Sequence, residues 1–330
     1  MLPLSARQFY IVDYTYRQRD NNRRYHGREA AMENLKERIA QVRNDREHGS
    51  RWLVRETVSI LRDLAEASST EQQLCAAGQE LASARPSMGA LASAVGRVLH
   101  VQGGPKAVAQ AAEQLLQEYD TATEVIASYA QPFVLGTILT CSLSGTVLDV
   151  LVACRKQIER VIVLEGRPRY EGRTLAQELS KQGMAVTLIT DAEAAIFLPL
   201  CNAVVVGADS VLAAGDVINK AGTALLAWAA WGQQIPMYIL CETLKISPRR
   251  WSDAGRMHWS QNVKLLEEKE PEEVLPSPIA AVTVRNFYFD HTPYKLVSKI
   301  ITERGVLNQQ EIQTIAHQVS ENERWLAANC

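Results

Sequence analysis

After residue 132 the chain changes grammar. Short β-branched and aliphatic runs alternate with helical stretches, and that alternation restricts the second half to a parallel sheet with helices on both faces. The runs fall at 134–140, 161–165, 186–190, 203–207, 237–241 and 279–284, and they are apolar almost throughout, as strands buried on two sides must be. Helical stretches at 146–156, 172–182, 192–200 and 221–231 lie between them, with Gly183 and Gly232 placed to stop two of them. Right-handed crossovers then give an α/β, Rossmann-like, doubly wound domain over residues 129–330. Ligands of such sheets sit beyond the carboxyl ends of the strands. No GxGxxG follows the first run, so a dinucleotide is not indicated and no cofactor is expected.

Residues 28–127 carry a helical pattern instead, with apolar positions three and four apart. Ala31, Leu35, Ile39 and Val42 form one stripe. Trp52, Val54, Val58, Ile60, Leu61 and Leu64 form another, which follows Gly49 and a candidate N-cap, Ser50. Breaks at Ser69-Thr70 and Gly103-Gly104-Pro105 divide the region into four or five helices, with Pro86 in the first turn of one of them. Residues 1–128 are therefore expected to form a helical bundle domain. The stretch 246–278 lacks a strong period and contains Trp251, His258 and Trp259. It is either a lid over the pocket or a surface excursion whose tryptophans pack on the helical domain, and the second reading is the stronger. From 292 to 329 the pattern returns to helix.

The 330 residues, 47% of them apolar, are enough for about two domains with a sizeable core. Charge offers no global handle: 35 Lys and Arg against 37 Asp and Glu leave a formal net charge of -2, so any anion recognition has to be local. The cysteines Cys75, Cys141, Cys154, Cys201, Cys241 and Cys330 form no CxxC pair and lie mostly in apolar runs. That favours reduced thiols and argues against a metal site. No window approaches the ~18 apolar residues of a membrane span, so no membrane partner and a cytoplasmic location are expected. The N-terminal arm interleaves Arg7, Arg17, Arg19, Arg23, Arg24 and Arg28 with Tyr10, Tyr14, Tyr16 and Tyr25, which suits RNA by charge and stacking. Asp13, Asp20 and Glu29 dilute it, so an arm folded over the helical domain is expected and nucleic acid is not an expected partner.

Four segments fall where backbone N–H groups at strand ends or helix starts can hold an anion. The turn from Thr140 to Thr146, TCSLSGT, offers Ser144 and Gly145 as phosphate donors, or Ser144 simply caps a helix. Glu165-Gly166-Arg167-Pro168 places a guanidinium beside a proline, suited to bidentate phosphate binding, unless the cluster is only a surface ion pair of Glu165 with Arg173. Arg85-Pro86 repeats the device in the helical half, so one ligand can be clamped between the domains. Gly215-Asp216-Val217-Ile218-Asn219-Lys220 gathers a carboxylate, an amide and an ammonium at the start of a helix. Asp216 there is either an N-cap or, if desolvated beside a sugar carbon, a proton-transfer group.

These segments carry a resemblance. Arg85-Pro86-Ser87, TILTCSLSGTV, LEGRPRYEGRTLA, VTLITD, VGADSVLAAGDVINKAGT and NFYFDHTP, spread over about residues 85–293, are similar to the family that holds the α, β and δ subunits of translation initiation factor 2B together with ribose-1,5-bisphosphate isomerase and methylthioribose-1-phosphate isomerase. The resemblance implies a helical N-terminal domain, a Rossmann-like C-terminal domain, a phosphorylated sugar or nucleotide as ligand, and a homodimer or a hetero-oligomer with other family members. For the isomerases it implies catalysis by a cysteine of the first turn and the aspartate of GDVxNK. The aspartate carries over to Asp216. Laid over THCNxG, however, TCSLSG puts Cys141 on the family's histidine, Ser142 on its cysteine and Leu143 on its asparagine. A thiol of pKa ~8.5 exchanges protons near neutrality, whereas an unassisted serine hydroxyl does not.

The expectation is therefore a translation initiation factor 2B subunit-like protein that binds a sugar phosphate or nucleotide through Arg85, Ser144, Gly145, Arg167, Asn219 and Lys220 in a regulatory or noncatalytic role. The alternative is an aldose–ketose isomerase of a phosphorylated pentose, with Asp216 and with Cys141, Ser142 or a distant histidine supplying the missing group. A scaffold that binds no small molecule is the third possibility.

Overall fold

The computed structural model describes residues 28–46, 48–67, 69–252 and 262–330. The Arg/Tyr-rich arm up to residue 27, His258 and Trp259 lie outside the described residues. The helical half comprises α1 (Arg28–Asn44), α2 (Ser50–Glu66), α3 (Glu71–Ser83), α4 (Gly89–Leu99) and α5 (Gly104–Ala130). A capping box opens α3: Thr70 Oγ1 accepts from the Gln73 amide while the Gln73 side chain accepts from the Thr70 amide. Gly103, at φ 116°, turns the chain into α5, with Pro105 in that helix's first turn. Leu53, Ile60, Leu61, Leu81 and Leu91 are fully buried between these helices, and truncating any one to Ala costs ~2–5 kcal/mol.

The second half is a Rossmann-like α/β unit. Its strands are β1 (Gly136–Cys141), β2 (Ile158–Leu164), β3 (Val186–Ile189), β4 (Ala203–Val206), β5 (Ser210–Leu212), β6 (Val217–Lys220), β7 (Met237–Leu240), β8 (Ile246–Ser247), β9 (Glu268–Lys269), β10 (Asn286–Phe287), β11 (Phe289–Thr292), β12 (Lys299–Thr302) and β13 (Gly305–Leu307). The helices are α6 (Gly145–Ala153), α7 (Glu171–Lys181), the short α8 (Ala194–Phe197), α9 (Thr223–Gly232) and α10 (Gln309–Asn329). The main sheet runs β13-β12-β7-β4-β1-β2-β3, parallel except for the β12–β13 hairpin. Apolar clusters cover both faces, one built on Leu139, Ile162, Val204 and Ile239, the other on Ile138, Val161, Val205 and Ile301. A second sheet, β11-β6-β5-β8, sends Leu212, Ile218 and Phe289 into the core of the helical half.

The structure departs from the sequence pattern in several places. Residues 279–284 form no strand, and the outer parallel strand is β12, inside the tail that reads as continuous helix. Lys299–Thr302 is too short to announce itself, and its extended form is imposed by the slot beside Met237–Leu240. Val217–Lys220 is a strand and not a helix start; Gly222, at φ 108°, delays α9 to Thr223. The 192–200 helix is broken into two 3-10 turns flanking α8, the second beginning at Leu198-Pro199. Gly49, not Ser50, is the N-cap of α2, and Pro86 occupies a turn ahead of α4. Cys75 and Cys330 are joined in a disulfide across 255 residues, against the expectation of reduced thiols; the other cysteines are free. Trp251 packs against the helical core, as the surface-excursion reading of 246–278 requires.

Candidate functional site

Strand order reverses between β1 and β4, so the loops leaving their carboxyl ends face each other across the crevice where sheets of this kind hold ligands. Those loops are Cys141 to Ser144 and Gly207 to Asp209. They touch: a Cβ on Gly207 would stand 2.8 Å from Ser144 Oγ, so the approach requires glycine. Ser144 caps α6, accepting from the Val147 amide at 3.4 Å, so its capping role is present. Gly145 opens the helix, with the Arg51 side chain 3.9 Å from where a Cβ would stand. Ser142 is buried with a left-handed φ of 64°, which breaks the extended run after Cys141.

Cys141 turns into the core. Its Sγ lies 3.6 Å from Thr223 Oγ1, and burial pushes the thiol up to about 12 against the opposing hydrogen bond from Thr223. A thiol of that acidity is protonated at neutral pH and is neither a base nor a nucleophile.

The charged side of the crevice lies at the open end of the β5–β6 hairpin. The Asp209 amide donates to the Ile218 carbonyl, which sets Asp209 beside Asn219 and Lys220. Burial raises the Asp209 carboxyl above the usual carboxylate range, opposed by Lys245, Lys220 and Arg85 and reinforced by Glu267. Lys220 Nζ is 2.9 Å from Glu171 Oε1 and lies over the rings of Tyr288 and Phe289, at 4.7 and 5.5 Å from their centroids. Asn219 donates to Thr223 Oγ1 at 2.9 Å. Lys245 is buried 3.3 Å from Glu242, whose other oxygen accepts from the Thr146 hydroxyl at 2.6 Å.

Arg85 reaches in from the helical half. Its Nε and Nη2 donate to Glu267 at 3.2 and 2.9 Å, and its Nη1 donates to the Asp45 carbonyl at 2.9 Å. The Ser87 hydroxyl also donates to Glu267, and Lys269 stands 3.0 Å from it. These contacts use three of the five guanidinium N–H donors.

Asp216 stands apart. It sits at the tip of the β5–β6 hairpin, four residues along β6 from Lys220, or ~13 Å at strand rise. Its Oδ1 accepts from the Tyr294 amide at 2.9 Å, and Oδ2 lies 3.6 Å from His291 Nε2. Partial burial is outweighed by these two neighbours, and the carboxyl is held below the usual range. Arg167 donates to the Tyr170 hydroxyl and the Val274 carbonyl, and the ion pair of Arg173 with Glu165 is present at 2.7 Å.

The structure thus gathers Asn219 and Lys220 with Arg85 around Asp209, brings Ser144 and Gly145 to the opposite lip, and engages Arg167 with Tyr170 of its own loop and with the distant Val274 carbonyl. It adds Asp209, Lys245 and Glu171. Asp209 was legible as the acidic residue just past a strand end in GAD; Lys245 carried no sequence signal. Among the described residues no group of three or more His, Cys, Asp or Glu is placed to hold a metal ion, and no helix is long and apolar enough to cross a membrane.

Fold and crevice define a two-part protein in which a guanidinium of the helical half acts on Asp209 at the switch point of a Rossmann-like sheet. The chain belongs to the Initiation factor 2 subunit family, which its residues 46–309 match. It is 30% identical to ribose 1,5-bisphosphate isomerase of Archaeoglobus fulgidus over 290 residues, covering 84% of this chain and 90% of that one. Among solved structures it is similar to the translation initiation factor eIF-2B of Pyrococcus horikoshii, with a TM-score of 0.73 and 30% identity, covering 85% of this chain and 99% of the other. It is also similar to 5-methylthioribose 1-phosphate isomerase of Pyrococcus horikoshii, with a TM-score of 0.67 and 26% identity, covering 87% of each chain.

Proposed function

We propose that this chain is an initiation factor 2B subunit-like protein that binds a phosphorylated sugar or nucleotide in the β1/β4 crevice without turning it over. The observation that carries this is Cys141: its thiol is buried against Thr223 and pushed up to about 12, while Ser142 holds the position nearer the crevice. Moving hydrogen between adjacent sugar carbons needs a group that gives and takes a proton near neutrality. Arg85, Asn219, Lys220 and Lys245 supply phosphate and hydroxyl contacts, and Ser144 with Gly145 closes the opposite lip. Incubating the purified protein with ribose 1,5-bisphosphate or methylthioribose 1-phosphate is expected to raise Tm with no ketose product detected by NMR. Product formation that Asp209→Asn abolishes would overturn the noncatalytic reading.

One observation favours the isomerase alternative. Asp209 is a desolvated carboxyl of raised pKa beside Lys220, the environment of a proton-transfer acid. In that reading Asp209 and not Asp216 carries the proton, and Asp216 anchors the hairpin to Tyr294.

For partners, we infer self-association, or pairing with a related subunit, through the Rossmann-like half. Leu225 and Trp231 of α9 are 78% and 61% exposed, and Ile196 of the neighbouring α8 and Leu200 of the 3-10 turn after it are 68% and 65% exposed. A contiguous apolar face of this kind is rare on a monomer. Trp231→Glu is expected to shift the sedimentation coefficient toward the monomer.

A further inference from the structure

A second cation-lined site lies outside the crevice. A cleft of about 370 Å³ on the seam of the two halves is lined by Pro86, Arg249, Arg250, Ser252, Asn262, Lys264 and Leu265. Among the described residues the lining contains three cations and no carboxylate. Arg249 is committed: it donates to the Pro86 carbonyl and lies near Glu323 of α10. Arg250 and Lys264 are exposed, and neither has an ion-pair partner among the described residues.

The backbone that carries these cations is held from several sides. The Ala213 amide donates to the Arg249 carbonyl at 3.0 Å, tying the segment to the β5–β6 hairpin. Trp251 stacks on His291 with centroids 4.0 Å apart and planes 3° from parallel. Asn262 is buried and clasps Ser252 at both ends, accepting from its amide at 3.3 Å and donating to its carbonyl at 2.8 Å. With the main chain held at Arg249, Trp251 and Ser252, an anion binding here costs the rotamer freedom of the two cationic side chains and less of the backbone's. Two cations with no ion-pair partner among the described residues, lining one cleft with a hydroxyl and an amide, match the chemistry of a phosphate group.

We propose that this cleft is a second binding site, for inorganic or organic phosphate, distinct from the crevice at Lys220. Arg250 and Lys264 bind the phosphate oxygens, Ser252 donates a hydrogen bond, and Arg249 anchors the floor. Because the cleft joins Pro86 to the 249–252 segment, a phosphate there bridges the helical and Rossmann-like halves.

The test is calorimetric titration of the whole chain with pyrophosphate in 150 mM salt (about the physiological ionic strength). The wild type is compared with Arg250→Ala, Lys264→Ala, the double variant, and Lys220→Met as the crevice control, each checked for unchanged Tm. The double variant is expected to weaken one binding component about tenfold or more, Arg250→Lys to restore part of it, and Lys220→Met to leave it in place. Loss of all binding in Lys220→Met alone, or unchanged binding in the double variant, would overturn the proposal.

Discussion

The sulfur of Cys141 and the hydroxyl of Thr223 are 3.6 Å apart, at the end of β1 and the start of α9, and this contact decides what the thiol can do. Held there without solvent, it is expected to resist iodoacetamide at pH 8 in the folded protein and to react at the rate of an ordinary thiol once urea unfolds it. Mass spectrometry of the 136–153 region reads the label. Rapid native labelling would show that the thiol opens to the crevice and would strengthen the isomerase reading.

Asp209 and Asp216 are expected to separate on mutation. Asp216→Asn keeps an acceptor for the Tyr294 amide but removes the charge facing His291, which costs ~1–2 kcal/mol in urea unfolding and leaves the sugar-phosphate Tm shift intact. Asp209→Asn removes a penalised charge, so stability holds or rises while the ligand-induced shift changes. If the two variants behave alike, the crevice has been assigned to the wrong carboxylate or to both.

Asp290 gives the fold a pH signature. Its Oδ2 accepts from the Gly222 and Ala224 amides at 2.7 and 3.0 Å, while Oδ1 is buried with no hydrogen-bond partner among the described residues. Burial pushes this carboxyl up to about 7 despite those amides. The folded state therefore holds the proton more tightly than the unfolded chain, whose carboxyl releases it near ~4. The contribution of this group to stability is full below pH ~4 and falls as pH rises to about 7, by at most ~1.4 kcal/mol per unit. Chemical unfolding at a series of pH values should show that slope in the wild type and lose it in Asp290→Asn.

Gly172 sits where α7 begins, and a Cβ there would drive into the Leu164 carbonyl at the end of β2. Gly172→Ala is expected to lower stability by ~2–4 kcal/mol or prevent folding, read as a drop in the urea midpoint.

The link between Cys75 and Cys330 closes a loop of 255 residues. Under non-reducing conditions Cys330→Ser should lose up to about 5.5 kcal/mol, the chain-entropy figure for a loop of this length, seen as a lower Tm. In excess reductant variant and wild type should melt together; persistence of the gap would mean the serine acts through packing.

Five parallel strands were legible because each is a short, largely apolar run rich in β-branched or aliphatic residues: 203–207 reads plainly as a strand buried on both faces. Lys299–Thr302 was not, since two isoleucines between polar neighbours fit helix and strand equally, and only the vacant edge beside β7 decides. The crevice was half legible. Asn219 and Lys220 stand out by their motif, but choosing between Asp209 and Asp216 needs the hairpin, which puts one at its open end and the other at its tip. Arg85 was visible as a residue, while its clamp by Glu267, far away in sequence, was not. The disulfide was invisible for the same reason, because two cysteines so distant in sequence announce no pairing.

Helix α10 begins on the sheet, burying Ile312, Ile315 and Ala316, and ends on the helical half, where Leu326 enters the core and Trp325 stacks on His100 at 4.8 Å. The helices at the front of the chain thus wait for residues made at its back. During synthesis the five helices leave the ribosome with one side of their core uncovered and stay so until β5, β6, β11 and finally α10 arrive. Exposed apolar helices in a growing chain are what chaperones bind, so the order of translation makes this half the part of the nascent protein most in need of shelter.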